Sequence, residues 1–241
     1  MDALIYTAMS GAERAWHAQQ VHANNLANLD TGGFRANLEL AASQTVPGYG
    51  YDARHVGQLQ ANALNTRPGV VKETGRDLDM AIAGDGFIAV QWQDGEAYTR
   101  SGSLVVDAAG ALTVNGRAVL GDGGPIVLPE YTRAIIGVDG TISIQPAGER
   151  ELQVIDRIKL VKAEASELTK NEAGLIVTRT GNDLQADASV VVRGGHLEGS
   201  NVSAVEEMVA TMALNRSFEI QMKLFKAADS MAETGNRLVG A

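Results

Sequence analysis

The residues able to do chemistry in this 241-residue chain are few and poorly spaced for it. Its histidines are His17, His22, His55 and His196. A zinc-type pair on one helix face needs an i, i+4 step, and His17 and His22 are five apart. There is no cysteine, which excludes disulfides, thiolate metal sites and Cys nucleophiles. With no carboxylates at matching spacing, no metal site is expected. Asp77 and Asp79 lie two apart, on one face of a strand, where they could form an acid–base pair. No pocket-forming feature accompanies them, so solvent-facing or turn-stabilising carboxylates are the plainer expectation. Ser101 and Ser103 sit in a Gly-rich turn without the strand–turn–helix elbow of a nucleophile. Gly84-Asp85-Gly86 lacks the third glycine and the following helix of a phosphate loop. It reads as a turn, as does Gly121-Asp122-Gly123-Gly124-Pro125. The expectation is no catalytic residue and no cofactor.

What is crowded instead is amides. Asn24, Asn25 and Asn28 stand at the end of the first helical segment, followed by Gly32-Gly33-Phe34-Arg35. Amides carry both donors and acceptors, so they can join surfaces without burying net charge. Asn28 suits the left-handed or C-cap position, and Gly32-Gly33 allow the chain to reverse.

The elements that must position these residues follow from periodicity. From about Asp2 to Asn28 there is no proline. Ile5, Ala8, Ala12, Ala15, His22 and Leu26, with Gln19 between, form one helical stripe, and Met9, Trp16 and Ala23 an adjacent one. The last segment opens on Ser203-Ala204-Val205-Glu206, a capping box. Val202, Val209, Ala213, Ile220, Leu224, Ala227, Met231 and Leu238 then follow heptad-like steps. Val205, Met208, Met212, Met222, Phe225 and Ala228 make a second stripe. Two stripes give a wider apolar arc than one partner helix covers. Either the helices pack onto the remainder of the chain, or other subunits supply the missing faces.

Glycines mark the centre: sixteen of 27 fall in residues 76–197, against three in 1–35 and three in 198–241. Short apolar runs at 80–83, 87–90, 104–106, 111–114, 118–120, 141–144, 153–161 and 189–192 alternate with turns. Asn115-Gly116 is a two-residue hairpin turn. The expected class is α+β: long N- and C-terminal helices paired into a coiled-coil-like domain, with a central antiparallel all-β domain of sandwich or barrel type. The expected domains are 1–35 with 198–241 (helical), 36–75 (an extended connector, with turns at Pro47-Gly48-Tyr49-Gly50-Tyr51 and Arg67-Pro68-Gly69) and 76–197 (β).

Composition narrows the function. The formal charge is −9, which opposes a nucleic-acid surface. No segment is apolar enough to span a membrane, and no cleaved signal peptide is expected.

Three motifs then stand in order along the chain: Asn24-Asn25-Leu26-Ala27-Asn28 with Thr31, Gly33, Phe34 and Arg35; Asp79 to Phe87 with Tyr98-Thr99-Arg100-Ser101-Gly102-Ser103; and Leu197-Glu198-Gly199-Ser200-Asn201-Val202 with Glu207-Met208 and Arg216-Ser217-Phe218-Glu219. Together they resemble the bacterial flagellar rod, hook and hook-associated axial proteins. Met1 to Met9 and the short length look most like the proximal-rod members, with the slightly longer distal-rod members the near alternative. Leu104, where an aromatic is common, and Gly32 beside Gly33 depart from the pattern.

The resemblance implies a non-enzymatic structural subunit. Its terminal helices would assemble helically into the torque-transmitting shaft and export-channel wall of the basal body, in the periplasm. The implied partners are other proximal and distal rod proteins, further copies of itself, and the flagellar type III export apparatus. The implied assembly residues are Asn24, Asn25, Leu26, Asn28, Phe34, Arg35 and Asn201 at the helix ends. Along the last helix they are Val205, Met208, Val209, Met212, Ala213, Ile220, Met222, Leu224, Phe225 and Met231. Phe34 is expected to tuck beneath the helix pair and Arg35 to face a polar neighbour. The residues by themselves leave two other classes open: a cell-wall enzyme using Asp77 or Asp79, and a monomeric cell-wall-binding module with a helical tail.

Overall fold

The computed structural model describes residues 2–45, 55–93 and 95–239, and for residues 2–4, 41, 55–62 and 239 the backbone alone. The chain forms two compact units. One comprises residues 1–27, 37–63 and 203–241; the other comprises 28–36 and 64–202.

The first unit is built on two helices, α1 (Asp2–Ala27) and α2 (Ala204–Val239). At 1.5 Å per residue they span about 39 and 54 Å. Ser203 Oγ accepts the Glu206 N–H at 3.5 Å, as an N-cap should, and Glu206 and Glu207 place negative charge on the first turn. The helices run antiparallel: His22 meets Glu207, and Gly11 meets Gln221. Their contact is made by small residues. Ala8, Ala15, Ala18 and Ala228 are buried, and a Cβ added to Gly11 would stand 2.9 Å from the Gln221 side chain. The strands Asn37–Thr45 and His55–Leu64 pair as a two-stranded sheet. The turn expected at Pro47-Gly48-Tyr49-Gly50-Tyr51 lies outside the described residues.

The second unit is mainly antiparallel β. Its largest sheet has five strands in the order Leu160–Val161, Phe87–Trp92, Gly95–Thr99, Ile176–Thr178 and Leu168–Lys170. A meander joins Tyr131–Ile136, Thr141–Pro146 and Gln153–Arg157, and a second joins Leu104–Val106, Leu112–Val114 and Arg117–Ala118. Short pairs complete the unit, among them Met80–Ala83 with Val191–Gly194 and Val71–Glu73 with His196–Glu198. In the strand Phe87–Trp92, Ile88 and Val90 enter a large core with Met80, Leu112, Ile142 and Val192. Phe87 and Ala89 enter a smaller one with Tyr98, Leu168 and Ile176. Alternation places successive side chains on opposite faces, so this strand is buried on both, which is why it reads as an unbroken apolar run. Asn115 and Gly116 both have positive φ, the geometry of the hairpin turn expected there.

The unit borders fall elsewhere than the expected domain limits, for identifiable reasons. Residues 28–36 and 198–202 are held in the β unit by a network around Glu198 and Asn201, and the stretch expected as an extended connector carries long strands. The left-handed residue of the first reversal is Gly33 (φ +69°), not Asn28. Asn28 instead ends α1 by accepting the Thr31 N–H at its carbonyl (3.2 Å) and the Thr31 hydroxyl at Oδ1 (3.1 Å). A Cβ at Gly33 would stand 2.3 Å from the Arg100 carbonyl carbon, so both the φ and the close approach require glycine there.

Candidate functional site

The large apolar residues of α2 turn away from the helix contact. Val205 is 72% exposed and Met212 70%, and Met208, Val209, Ile220, Met222, Leu224, Phe225 and Met231 are all exposed, as is Ala213. The partly covered positions are Ala204, Glu207, Ala210, Thr211, Leu214, Ser217, Gln221, Ala232 and Gly235, with Ala228 fully buried. On α1, Tyr6, Met9 and Trp16 are exposed in the same way. Both helices therefore bury their small, partly polar stripes against each other and leave their large apolar stripes open.

At one end of this helix pair the amides lock the unit's own segments together. Asn25, 1% exposed, donates from Nδ2 to the Asn37 carbonyl (3.0 Å) and to Glu207 Oε1 (3.1 Å), and its Oδ1 accepts the Asn37 N–H (2.9 Å). His22 Nδ1 lies 2.5 Å from the other carboxylate oxygen of Glu207. Asn24 is exposed and accepts from Asn37 Nδ2 at 3.5 Å, and Leu26 is half-buried. Asn25, expected to bond across subunits, thus has its donor and acceptor atoms engaged within its own unit.

In the β unit a second network binds three backbone segments. Asn201 Oδ1 accepts the Ala36 N–H (2.7 Å), and its Nδ2 donates to the carbonyls of Asn65 and Arg67, each at 2.9 Å. Its own N–H donates to the Phe34 carbonyl at 3.2 Å, while Asn65 N–H donates to the Ala36 carbonyl at 2.9 Å. Beside it lies a buried ionic triad. Glu198 Oε2 accepts from Arg100 Nε and pairs with its Nη2, each at 2.8 Å. Glu198 Oε1 pairs with Arg35 Nη1 at 2.8 Å and accepts the Gly69 N–H at 2.7 Å. Arg100 Nη1 also donates to the carbonyls of Gly84 (2.9 Å) and Gly86 (2.7 Å), and Arg35 Nη1 donates to the Arg67 carbonyl.

Burial sets the electrostatics. Arg35, Arg100 and Glu198 are 3%, 1% and 1% exposed. Desolvation pulls the Arg35 guanidinium down to about 10; the nearby Arg100 charge adds to this, and Glu198 opposes it. Arg100 is lowered by burial as well, and Glu198 again opposes the change. Lys170 is pushed down to about 8 by desolvation. Its ammonium still donates to the Arg35 carbonyl at 2.5 Å and lies 3.7 Å from the Phe34 ring centroid, a cation–π contact. Phe34, expected beneath the helices, belongs to the β unit and packs with Lys170.

The candidate chemical residues are occupied or apart. Asp79 is buried, with Oδ2 accepting from Arg76 Nε (2.8 Å) and Thr74 Oγ1 (2.6 Å) and Oδ1 from Arg76 Nη2 (2.6 Å). It is a turn-stabilising carboxylate with no free oxygen for acid–base work. Asp77 is exposed, 4.0 Å from Arg133. His17 stacks obliquely on Trp16. Among the described residues no cluster of histidines and carboxylates could hold a metal. Arg35 and Asn201 are among the expected site residues; Arg100 and Glu198 stand in the motifs without an expected role, and Lys170 lies outside them. The available signal was a cation and a carboxylate inside Gly-rich motifs, where no helix face offers them solvent.

Three family models match the chain in order: a flagella basal body rod protein model over residues 5–35, a flagellar hook protein FlgE/F/G D1 domain over 81–144, and a flagellar basal body rod FlgEFG C-terminal model over 193–238. The flagellar basal-body rod protein FlgF of Escherichia coli strain K12 is 41% identical over 99% of both chains, and that of Salmonella typhimurium strain LT2 is 40% identical over the same share. The rod protein FlgG of Bacillus subtilis strain 168 is 29% identical over 95% of this chain and 96% of its own. The chain belongs to the family of flagellar basal-body rod proteins and, within it, to the FlgF type. It is a structural protein of the motility machinery and not an enzyme. None of its described helices is long and apolar enough to cross a membrane.

Proposed function

We propose that this protein is a subunit of the periplasmic rod, joining proximal and distal rod proteins and further copies of itself through its terminal helices. In this reading α1 and α2 form a coiled-coil-like axial core, and the β unit is a domain of sandwich or barrel type. Stacked helically, such subunits make a torque-transmitting shaft and the wall of the export channel. The chain reaches the rod through the flagellar type III apparatus and does not insert into the membrane.

The observation that carries this reading is the outward apolar face of α2. Large side chains that water would normally disfavour are left uncovered while alanines fill the helix contact. Neighbouring subunits supply the missing burial, and many shallow contacts along a common axis resist twisting. Asn24 and Leu26 of α1 and Asn28 of the β unit join in assembly. Asn25 contributes by bracing the helical unit, and Phe34, Arg35 and Asn201 by bracing the β unit.

Photo-crosslinking in cells from an unnatural residue at Met222, with partners read by mass spectrometry, tests the proposal. Crosslinks to other rod proteins or to second copies are expected. Crosslinks confined to the same molecule's β unit would instead favour a monomeric binding module. Leu224→Asp and Ala213→Asp should abolish incorporation while the β unit stays folded; normal incorporation of either would overturn the interface assignment.

A further inference from the structure

The buried triad of the β unit is not electrically closed. Two guanidiniums, Arg35 and Arg100, face one carboxylate, Glu198, and all three are at least 97% buried. Arg35 Nε has no acceptor among the described residues. Buried donors are almost always satisfied, and an unpaired buried charge is costly. Both arginines line a cavity of about 110 Å³ within the same unit, with Lys162, Asp85, Glu164 and Ala163 also on its walls. A single water needs only roughly 10–15 Å³ of such space, so a compact polyatomic anion fits.

The acidic side chains on the walls offset the pair only in part: the Asp85 carboxylate favours the charged form of both arginines, but less than Glu198 does. The Asp85 side chain is 71% exposed and stands 4.0 Å from Lys162, which is 47% exposed, and Glu164 is exposed. Their charges are screened by solvent, whereas the excess charge of the triad lies in a medium where it is felt strongly. The low-dielectric floor is thus net positive with a free N–H donor, beneath a mouth that carries one further cation.

We propose that this cavity binds a compact anion of the carboxylate or phosphate kind, hydrogen-bonded by Arg35 Nε and attracted by the charge of Arg100, whose own donors are all engaged, with Lys162 at the entrance. The ligand is either a free small anion or a carboxylate side chain of a second copy; the recognition chemistry is the same. Occupancy closes the charge balance beside Asn201 and stiffens the place where residues 28–36, 64–70 and 198–202 are tied.

The test is an NMR titration of the full-length protein with sodium acetate and, separately, sodium phosphate, at constant ionic strength in chloride. The expected result is a saturable shift of the Arg35 Nε–H signal, with backbone shifts near 86–87, 100 and 163–165. Arg35→Lys keeps the charge but removes the Nε–H. Its backbone spectrum reports whether it folds, and binding should weaken at least about tenfold, the loss of one charge-assisted hydrogen bond. Lys162→Gln, at the exposed mouth, should weaken it less while leaving the fold intact. An Arg35 shift that instead grows with protein concentration and without added anion assigns the occupant to a second copy's carboxylate. Linear, non-saturating shifts, or saturable shifts unchanged in Arg35→Lys and Lys162→Gln, would overturn the site.

Discussion

Replacing Arg100 with methionine tests whether the triad holds the β unit together. Methionine keeps much of the side-chain volume but removes the charge and the donors. Glu198 Oε2 loses both of its guanidinium contacts, while Oε1 keeps Arg35 and the Gly69 N–H. The carbonyls of Gly84 and Gly86 lose the Arg100 Nη1 donor. Breaking a buried ion pair from one side costs about 3–5 kcal/mol, and a buried acceptor left without a partner about 1–3 kcal/mol. Two effects offset part of this: Glu198 retains half its partners, and Arg35 is freed from a like charge that lowers its pKa. The net expectation is about 3–5 kcal/mol. In a unit of roughly 150 residues that lowers Tm by about 6–20 °C. The two tryptophans allow a unit-specific assay, since Trp16 lies in the helical unit and Trp92 in the β unit. In a Trp16→Phe background, fluorescence follows the β unit alone. A double-mutant cycle with Glu198→Gln should give a coupling of at least about 1 kcal/mol. A loss below about 1 kcal/mol for Arg100→Met, or a cycle additive within about 0.5 kcal/mol, would show that the triad is not what holds this region.

Asn201→Ala removes the acceptor of the Ala36 N–H and the donors to Asn65 and Arg67. It should cost about 1.5–4 kcal/mol and raise amide exchange at Ala36 by two orders of magnitude or more. Lys170 gives a pH signature of definite sign. Its pKa is lower folded (about 8) than the ordinary lysine value of 10.5, so the unfolded chain binds more protons between these values. Stability should therefore rise with pH from about 8 toward 10.5, with a slope below the 1.36 kcal/mol per pH unit of one full proton. Denaturant melts at pH 7.5 to 9.5, below the range in which Tyr98 titrates, should show the rise in wild type and lose it in Lys170→Met. Ala18→Leu overfills the helix contact and should destabilise the helical unit by about 1–3 kcal/mol. Met212→Ala, on the open face, should change the free protein by less than about 0.5 kcal/mol in the same circular-dichroism melt.

The helices and much of the β centre are legible because their signals are local. A proline-free run of 3.6 periodicity, a Ser N-cap and the Asn115-Gly116 turn each act within a few residues. The strands Gly95–Thr99 and Tyr131–Ile136 are hard to see because polar residues interrupt their apolar pattern, and they are strands by virtue of their sheet partners. The strands at Asn37–Thr45 and His55–Leu64 hide for the same reason: neither shows a clean alternation, and pairing defines them. The triad was the least legible feature. Arg35 and Glu198 are separated by more than 160 residues, and no local rule says that two charges in Gly-rich stretches will meet in a buried place. Asn201 was visible as a residue with a task, but the task is to bind its own chain.

The apolar stripes of α2 show what periodicity can and cannot decide. It identifies which side chains favour burial, not which partner buries them. Within the unit, the contact went to alanine, glycine and glutamine positions, because small residues let two backbones approach closely over a long line. The eleven large apolar side chains of α2 that remain exposed, from Val205 to Leu238, are open by about two-fifths to four-fifths of their surface. Full burial of such a side chain contributes roughly 1.5–3 kcal/mol, so covering what remains would yield on the order of 10 kcal/mol per copy before the costs of association. That is comparable to the whole stability of an ordinary domain. A helix that reserves this much for contacts outside its own unit gains little by folding alone. On this reasoning, Met208→Ser or Met231→Ser should leave the melting of the free protein unchanged and weaken incorporation into the rod in proportion to the area removed. Equal effects on both would mean that the face is covered within the molecule after all.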